Sequence, residues 1–350
     1  MNLQNTISFL QQMIQIPSLS KGENLRGDFI ESFLKTKNIS VVREKNNLWA
    51  KNKYFDNSKP TILLNSHIDT VRPNGAYTRD PFNSEVIDNK LFGLGSNDAG
   101  ASVATLLSTF VNWFEKENCK YNLIFALTAE EEIFGANGMT LLISKIPKID
   151  FAIVGEPTSM KLAIAEKGLL VLDCIAKGDS GHAAHHKSKN SILVALKDIE
   201  WFSKFRFEKI SPSLGEVKMT VTSIEGGKEH NVVPVFCKFV VDIRVTDFYT
   251  HEEILEIIKN NISCEIIPRS LGLRPSSVEL NHPIISIAQE LNIETFGSPT
   301  MSDQAHLNCQ SVKIGPGNTL RSHTADEFVK IDEIESGLKI YNLLLERLLL

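Results

Sequence analysis

The fold of this chain is decided by residues 61–69, which read TILLNSHID. Residues 61–66 form a short strand-like run without alternation, typical of a strand that is buried on both faces of a parallel sheet. His67 and Asp69 follow this run directly. A histidine with an aspartate two positions on indicates either a metal ligand with its supporting carboxylate or a structural histidine held by a nearby acid.

The same arrangement, candidate ligands that follow a strand-like or turn segment, recurs along the chain. The further candidates are Asp98 within residues 95–100, Glu130, Glu131 and Glu132 after residues 123–128, Glu156 after residues 151–155, and His323 after residues 312–317. Because sites in open α/β sheets form at the carboxyl ends of strands, we expect these side chains to converge. Imidazole and carboxylate groups without a thiolate suit zinc, manganese or cobalt in a catalytic site rather than a structural one.

Each candidate has an ordinary alternative explanation. An acidic triplet such as Glu130–Glu132 is commonly a solvated helix start, and Asp98 could cap the helix that follows it. Glu156 and His323 could be plain loop residues. The five blocks taken together favour one metal site over five separate structural explanations.

Composition excludes several classes of protein. With 350 residues, of which 42% are hydrophobic and 23% charged, the chain is expected to be a soluble globular protein of one large or two modest domains. A net charge of -5 argues against nucleic acid as the main partner, and we find no apolar run that could cross a membrane. Five scattered cysteines without a CxxC pair, and no signal-peptide pattern at residues 1–5, predict reduced thiols and a cytoplasmic location.

Hydrophobic periodicity predicts two domains, one inserted into the other. Through residues 1–170, continuous apolar strands alternate with helices, which indicates an α/β domain with a mostly parallel sheet and helices on both faces. Residues 171–276 change to alternating strands and helices in a β-α-β-β-α-β order, typical of a ferredoxin-like α+β sandwich. The first pattern returns over residues 277–350, so residues 1–170 and 277–350 are predicted to form one domain and residues 171–276 the other.

Five sequence blocks together resemble the M20 metallopeptidase and deacylase family, in the family's order and over nearly the whole chain. They are SHIDTV at residues 66–71, GSNDAG at 95–100, TAEEE at 128–132, GEPT at 155–158, and GPG at 315–317 with His323 and Thr324. The family includes acetylornithine deacetylase, succinyl-diaminopimelate desuccinylase, aminoacylase and glutamate-releasing carboxypeptidases. The resemblance implies hydrolysis of a linear amide bond with two divalent metal ions, zinc first, with cobalt or manganese as alternatives.

The resemblance also implies a role for each candidate residue. The metal ligands would be His67 and Glu156 for one ion, Glu132 and His323 for the other, and Asp98 as the bridge. Asp69 would accept the other ring N–H of His67 and so fix its tautomer. Glu131 would be the general base that moves a proton from water to the leaving amine.

The inserted domain carries three further matches to the family. The stretch GDSGHAA around His182 resembles the lid motif, whose histidine would reach the active site of a partner subunit and stabilise the tetrahedral oxyanion. Residues 230–234 and 242–244 match segments that shape the substrate pocket, with Asn231 and Arg244 as the candidates for substrate binding. The planar fork of Arg244 suits a substrate carboxylate, and its alternative is an ion pair on the sheet surface. The resemblance therefore implies a homodimer through this lid domain.

Departures from the family pattern bear on the substrate. The loop at residues 98–100 reads DAG, without the lysine that is common there, and the stretch after the lid histidine adds His185 and His186, to which we assign no role. Residues 180–184, 298–304 and 313–317 in combination most resemble the arginine-biosynthetic deacylases, so N-acetyl- or N-succinyl-ornithine or -citrulline is the expected substrate. The alternatives are succinyl-diaminopimelate, a dipeptidase or exopeptidase activity, a non-catalytic binding protein, and a structural dimer whose metals only stabilise it.

Overall fold

The structure is a computed structural model that describes residues 1–185, 187 and 189–350. His186, one of the two histidines without an assigned role, lies outside the described residues. The α-helices of the described chain are α1 (Leu3–Ile14), α2 (Asn24–Thr36), α3 (Ala101–Trp113), α4 (Met139–Leu142), α5 (Ser191–Lys204), α6 (His251–Lys259), α7 (Pro283–Glu290) and α8 (Ile331–Leu349). Its strands are β1 (Val42–Glu44), β2 (Asn47–Lys51), β3 (Thr61–His67), β4 (Val86–Ile87), β5 (Lys90–Phe92), β6 (Asn122–Thr128), β7 (Phe151–Val154), β8 (Leu162–Glu166), β9 (Gly168–Lys177), β10 (Gly181–His182), β11 (Lys218–Gly226), β12 (Val232–Val233), β13 (Phe236–Val245), β14 (Glu265–Pro268), β15 (Ser276–Ser277), β16 (Thr295–Ser298), β17 (Gln310–Lys313) and β18 (Phe328–Lys330).

The described chain folds as two compact units. The first comprises Met1–Ile164, Ser277–Phe296 and Ser302–Leu350, and the second comprises Ala165–Ser276 and Gly297–Met301. The second unit therefore begins before residue 171, where the change in sequence pattern predicts the boundary, and it gains a short later segment. The later segment belongs to it because the backbone N–H of Lys167 donates to the carbonyl oxygen of Ser298 at 3.0 Å, a contact that periodicity cannot reveal.

A mostly parallel sheet lies at the centre of the first unit, as predicted. Its strands follow the order β1-β2-β6-β3-β7-β17-β8. β3 runs parallel to β6 and β7, and β17 runs parallel to β7, whereas β2 pairs with β6 and β8 with β17 in the antiparallel sense. Every residue of β3, β6 and β7 is buried, which explains why these strands are continuous apolar runs in the sequence.

Helices cover both faces of this sheet, which confirms the predicted α/β architecture. Along β3, Ile62 and Leu64 belong to the larger apolar core with α1, α2, α3, α7 and α8, while Leu63 belongs to a smaller core with α4. The division follows from the period of two in a strand, which sends successive side chains to opposite faces. Since both faces are packed, the loops at the strand ends are the places where polar functional groups can be carried.

The second unit has the predicted ferredoxin-like arrangement. Its sheet follows the order β11-β13-β9-β14 with all neighbours antiparallel, and α5 and α6 follow β9 and β13 along the chain. Burial alternates along β9 because only one face of the sheet packs on the apolar core that α5 and α6 complete.

The helices differ from the sequence-based expectation at one place. The sequence pattern predicts a helix over residues 138–146, but the structure has only the single turn α4, and residues 143–146 lie outside it. Pro147 disfavours helical backbone in the residue before it, so a longer helix could not extend through Ile146. Among the residues that the structure describes, no helix combines the length and the apolar character needed to cross a membrane.

Candidate metal centre

The predicted metal ligands meet at the carboxyl end of the parallel strands. His67 ends β3, and its Nε2 lies 3.2 Å from Asp98 Oδ1 and 3.8 Å from Glu156 Oε1. His67, Asp98 and Glu132 offer ligand atoms that all lie within 4.8 Å of one another. Since zinc binds nitrogen and oxygen ligands at about 2.0–2.2 Å, ligand atoms about 3–4 Å apart fit around one cation.

Asp98 lies between two histidines. Its Oδ2 lies 3.7 Å from His323 Nε2, and the same ring nitrogen lies 2.9 Å from Glu132 Oε2. The carboxylate of Asp98 therefore has His67 and Glu156 on one side and His323 and Glu132 on the other. A shared carboxylate between two imidazole–carboxylate pairs is the arrangement expected of a site for two cations.

Strand register explains how these residues come together. Parallel pairing places His67 beside Thr128 at the end of β6, and Asn65 beside Val154 at the end of β7. The chain therefore leaves three neighbouring strands at one edge of the sheet. Directly after β6 the backbone turns sharply, because Glu130 adopts a left-handed conformation with φ 56°.

Asp69 orients both a histidine and the acidic loop. Its carboxylate oxygens accept the backbone N–H groups of Glu131 and Glu132 at 3.1 and 3.2 Å, and one of them accepts the Ser20 hydroxyl at 2.7 Å. His67 Nδ1 lies 3.0 Å from the main-chain carbonyl oxygen of Asp69 and 3.5 Å from its carboxylate. The contact to His67 expected of the carboxylate is thus made more closely by the main-chain carbonyl of the same residue.

Two side chains from earlier in the chain hold the start of the acidic loop. The backbone N–H of Ala129 donates to Asn47 Oδ1 at 2.9 Å, and that of Glu130 donates to Glu23 Oε1 at 3.1 Å. Glu23 and Asn47 are both buried. The sequence offers no motif that would identify Glu23 and Asn47 as part of the site. Both accept hydrogen bonds from backbone N–H groups, which any acceptor side chain could do.

Asp303 is a further buried carboxylate at this site that the sequence does not single out. It accepts a hydrogen bond from the Thr128 hydroxyl at the end of β6. Burial raises the pKa of Asp303 to about 6, although the charge of His67 opposes the rise. Ser302, Asp303 and Gln304 are all buried, which is unusual for polar residues. Their burial identifies Asp303 as a candidate, but it cannot be read from the sequence alone.

Burial and crowding shift Glu131 and Glu156 toward their protonated forms, whereas for Asp98 burial is outweighed by the hydrogen bond and charge of His67, which lower its pKa. Burial raises the pKa of Glu131 well above its usual range, and the neighbouring acids add to the rise. Burial likewise raises the pKa of Glu156 to about 8, with a further contribution from Asp98. Buried anions this close together are stable only when they are protonated or compensated by cations. The donor set of two imidazoles and several buried carboxylates therefore fits a pair of divalent cations.

Neighbouring carboxylates also raise the pKa of the two histidines. Burial lowers the pKa of His67, but Glu131 and the two neighbouring aspartates outweigh it and keep the pKa well above its usual value. The hydrogen bond to Glu132 raises the pKa of His323 to about 9. Cation binding requires neutral rings, so metal ions would displace these protons.

His182, Asn231 and Arg244 belong to the second unit. His182 is exposed on β10, and the neighbouring Ala183 N–H donates to the Asn231 carbonyl oxygen at 2.9 Å. Arg244 lies on β13 and donates from Nε and Nη2 to the two carboxylate oxygens of Asp242 at 2.9 and 3.1 Å. This is the ion pair that was the alternative explanation for Arg244, and the roles of the three residues at the metal centre stay predictions.

In metal-free protein, the stability of the fold should fall as the pH rises. Folding raises the pKa of Glu156 from 4.5 to about 8 and that of His323 from 6.5 to about 9. Such groups stabilise the fold below their unfolded pKa, and this contribution is lost as the pH rises through the folded pKa. We therefore expect the thermal midpoint of chelator-treated protein, followed by circular dichroism, to fall between about pH 5 and about pH 9.

Saturation with zinc or cobalt should remove most of this fall, because the cations compensate the carboxylates that otherwise need protons. The variant E156Q cannot titrate at that position and should show a smaller fall in metal-free protein. A midpoint that rises with pH over this range in the metal-free parent would contradict the assignment.

Comparison with known proteins agrees with the geometry. The chain matches Peptidase family M20/M25/M40 over residues 63–347. It is 28% identical over 370 residues to succinyl-diaminopimelate desuccinylase of Orientia tsutsugamushi (strain Ikeda), with 96% of this chain and 94% of that protein covered. Its fold is similar to that of aminopeptidase PepT from Bacillus cereus, with a TM-score of 0.80, 16% identity and 99% of each chain covered.

A second solved structure shares the fold. Bacillus subtilis YXEP, described as a dinuclear metal-binding peptidase from the M20 family, gives a TM-score of 0.75 at 15% identity, with 99% of this chain and 98% of that chain covered. The family match extends over most of the chain and includes all five converging residues, from His67 to His323. We therefore identify the protein as a member of Peptidase family M20/M25/M40.

Proposed function

We propose that this protein is a metal-dependent hydrolase that removes an acetyl or succinyl group from an N-acyl amino acid. The observation that supports the proposal best is the position of Asp98, whose two oxygens lie 3.2 Å from His67 Nε2 and 3.7 Å from His323 Nε2. A carboxylate in this position suits two divalent cations, with zinc as the first candidate and cobalt or manganese as alternatives.

The proposed ligands are His67 and Glu156 for one cation, Glu132 and His323 for the other, and Asp98 for both. When bound, the two cations would polarise the amide carbonyl of the substrate and lower the pKa of a water molecule. Asp69 positions three residues of the site. Its carboxylate accepts the N–H groups of Glu131 and Glu132, and its main-chain carbonyl contacts the ring of His67.

Glu131 is proposed to move the proton. Glu131 is half-buried, and its carboxylate lies close enough to His67 and Glu156 for their charges to shift its pKa, while the adjacent Glu132 contacts His323 instead. In the reaction the carboxylate takes a proton from the attacking water and delivers it to the nitrogen of the leaving amino acid. The two neighbouring glutamates thus have separate tasks.

The amino-acid part of the substrate is proposed to be ornithine or citrulline, because residues 298–304 and 313–317 resemble those of arginine-biosynthetic deacylases. In this proposal Arg244 binds the substrate carboxylate, Asn231 helps to shape the pocket, and His182 of a partner subunit stabilises the oxyanion. Since Arg244 already pairs with its neighbour Asp242, the substrate would share or replace that ion pair.

Succinyl-diaminopimelate is the second candidate substrate. It is favoured by the relative that is 28% identical to this chain and carries the name of a succinyl-diaminopimelate desuccinylase. Both candidates present the same kind of amide to the same metal ligands, so only pocket contacts to the amino-acid side chain would distinguish them. A binding protein without turnover is the alternative outside the enzymes, and the complete ligand set together with Glu131 argues against it.

A matched substrate panel tests the activity. Zinc- or cobalt-loaded protein is incubated with acetyl- and succinyl-ornithine, acetyl- and succinyl-citrulline, succinyl-diaminopimelate and simple dipeptides, and the release of free amine is measured. We expect one ornithine or citrulline derivative to be preferred in kcat/KM by about tenfold or more. Preference for succinyl-diaminopimelate would support the second candidate, and no turnover of any compound would contradict an enzyme.

The variant E131Q should lose turnover and keep its metal ions. The amide has the size of the carboxylate but cannot accept the proton, so we expect kcat to fall by about 10²- to 10⁴-fold. Metal content, measured by atomic absorption, should stay at the parental value, and E115Q at an exposed position provides a matched control. Unchanged turnover in E131Q would refute the role given to Glu131.

The second unit carries a surface suited to a second copy of the chain. β11 is an edge strand, so its outer backbone groups have no neighbouring strand among the described residues. Leu193 and Leu196 on α5 and Ile224 on β11 are 58%, 49% and 54% exposed, and α5 packs beside β11. An unpaired edge next to exposed apolar side chains is typical of a surface that binds another chain. We propose that this surface forms the homodimer.

The variant L196E should convert the dimer to a monomer, because it places a charge in the proposed apolar contact. Molecular mass is measured by light scattering, with L25E at an exposed position of α2 in the first unit as the control. If His182 acts across the interface, the monomer should also lose kcat while it retains metal. A parent protein that is active and strictly monomeric would rule out the role across subunits.

A further inference from the structure

One buried carboxylate next to the metal centre is not among the proposed ligands. Glu327 lies four positions after His323 and is 2% exposed. Its Oε1 accepts the backbone N–H groups of Asn97 and Asp98, both at 2.8 Å, and its Oε2 accepts that of Gly95 at 3.0 Å. Three backbone donors of a single loop therefore converge on one distant side chain.

The loop that Glu327 holds has donors that its own backbone does not satisfy. Gly95 adopts φ 75°, and a Cβ at this position would come within 2.5 Å of Thr70 Cγ2. The N–H groups of Ser96 and Gly100 find carbonyl acceptors within the loop, at Gly93 and Gly95. The N–H groups of Gly95, Asn97 and Asp98 all donate to the carboxylate of Glu327 instead. Such a group of backbone donors favours an anion.

The segment that carries Glu327 also carries His323, and it is joined to the Asp98 loop at two places. The Gly93 N–H donates to the main-chain carbonyl of Glu327 at 3.0 Å. The side chain of Asn97 accepts the Asn318 N–H at 2.8 Å and donates to the Asn318 carbonyl oxygen at 3.1 Å. Two ligands from distant parts of the sequence are thus carried by segments that Glu327 ties together.

A buried cation lies behind this contact. Arg26 is almost fully buried, and its Nη1 donates to the carbonyl oxygen of Ile68 at 2.9 Å. Burial lowers the pKa of Arg26 to about 10, while the charges of Asp69, Glu327 and Glu23 raise it. Burial and the charge of Asp98 raise the pKa of Glu327 to about 8, while the three N–H donors oppose this rise and favour the carboxylate.

We propose that Glu327 is a positioning residue of the metal centre, whose carboxylate fixes the backbone of Asp98 and keeps this shared ligand in register with His323. The inference rests on the proposed metal site and adds a residue to it. In this role Glu327 contacts neither the substrate nor the cations. Its loss should therefore weaken cation binding and leave substrate affinity unchanged.

The variant E327Q tests the proposal. Glutamine keeps the size of the side chain but turns one of the two acceptor positions into a donor, which opposes an N–H of the loop. We expect the dissociation constant for cobalt, measured by chelator competition, to rise by about 10- to 100-fold. For any panel substrate that is turned over, kcat should fall while KM stays within about twofold.

The variant D326N is the matched control. Asp326 is the preceding residue, and it also accepts two backbone N–H groups, those of Thr78 and Arg79 at 3.0 Å, but it does not hold the Asp98 loop. Asparagine tolerates the left-handed backbone found there, with φ 52°. D326N should therefore bind cobalt like the parent. The comparison shows whether the effect of E327Q comes from the contact to the Asp98 loop or from the loss of any carboxylate that holds a loop.

A second readout needs neither metal nor substrate. In metal-free E327Q, the amides of Gly95, Asn97 and Asp98 should exchange with deuterium faster than in the parent, and in D326N they should not. A folded E327Q with parental cobalt affinity and parental exchange would overturn the proposal. If E327Q does not fold, E327D, which keeps the charge but shortens the reach, is judged by the same two criteria.

The outcomes distinguish this inference from the proposed function. Cobalt affinity and amide exchange are measured without any substrate. A parent protein that turns over no panel compound, but whose E327Q variant shows both effects, would contradict the deacylase proposal and support the role of Glu327. If the parent turns over a panel compound but E327Q binds cobalt like the parent, the deacylase proposal is supported and the role of Glu327 is contradicted.

Discussion

The crowding of buried carboxylates at one edge of a parallel sheet is the constraint on which the rest of this structure depends. Glu156 lies close enough to both Glu131 and Asp98 for their charges to repel, and all three side chains are only partly exposed to solvent. Protonation or a bound cation relieves this repulsion, and imidazoles beside the acids favour the cation. The strands that end at this edge supply the rigid framework, because packing on both faces leaves them no room to move apart.

Backbone N–H groups hold the acidic edge in place. Asp69 accepts two N–H groups from residues 131–132, Glu327 accepts three from residues 95–98, and Glu23 accepts one from the start of the acidic loop. Asp69, Glu327 and Glu23 thus hold the loops that carry the proposed ligands Asp98 and Glu132. A carboxylate that binds several amides fixes the direction of a loop as well as its distance, which a metal site requires.

In the proposed mechanism the chemistry is divided between the two units of the chain. The first unit supplies the metal ligands and Glu131, and the second supplies His182, Asn231 and Arg244. Both units then contribute to cleavage of the amide bond, because the metal ligands and Glu131 belong to the first unit and the proposed oxyanion contact of His182 belongs to the second. The proposed dimer is argued separately, from the exposed apolar side chains of α5 and β11 in the second unit.

The sequence by itself determined the elements and the types of ligand, since these follow from local patterns. Continuous apolar runs mark β3, β6 and β7, and alternation marks β9, because burial on two faces or one leaves a direct periodic trace. Only the tertiary structure decided which distant groups meet. His323 Nε2 lies 2.9 Å from Glu132 Oε2 across 191 positions, and Glu327 holds the Asp98 amide across 229. A hydrogen bond to a backbone N–H leaves no such trace, because any acceptor that the fold brings within reach can make it.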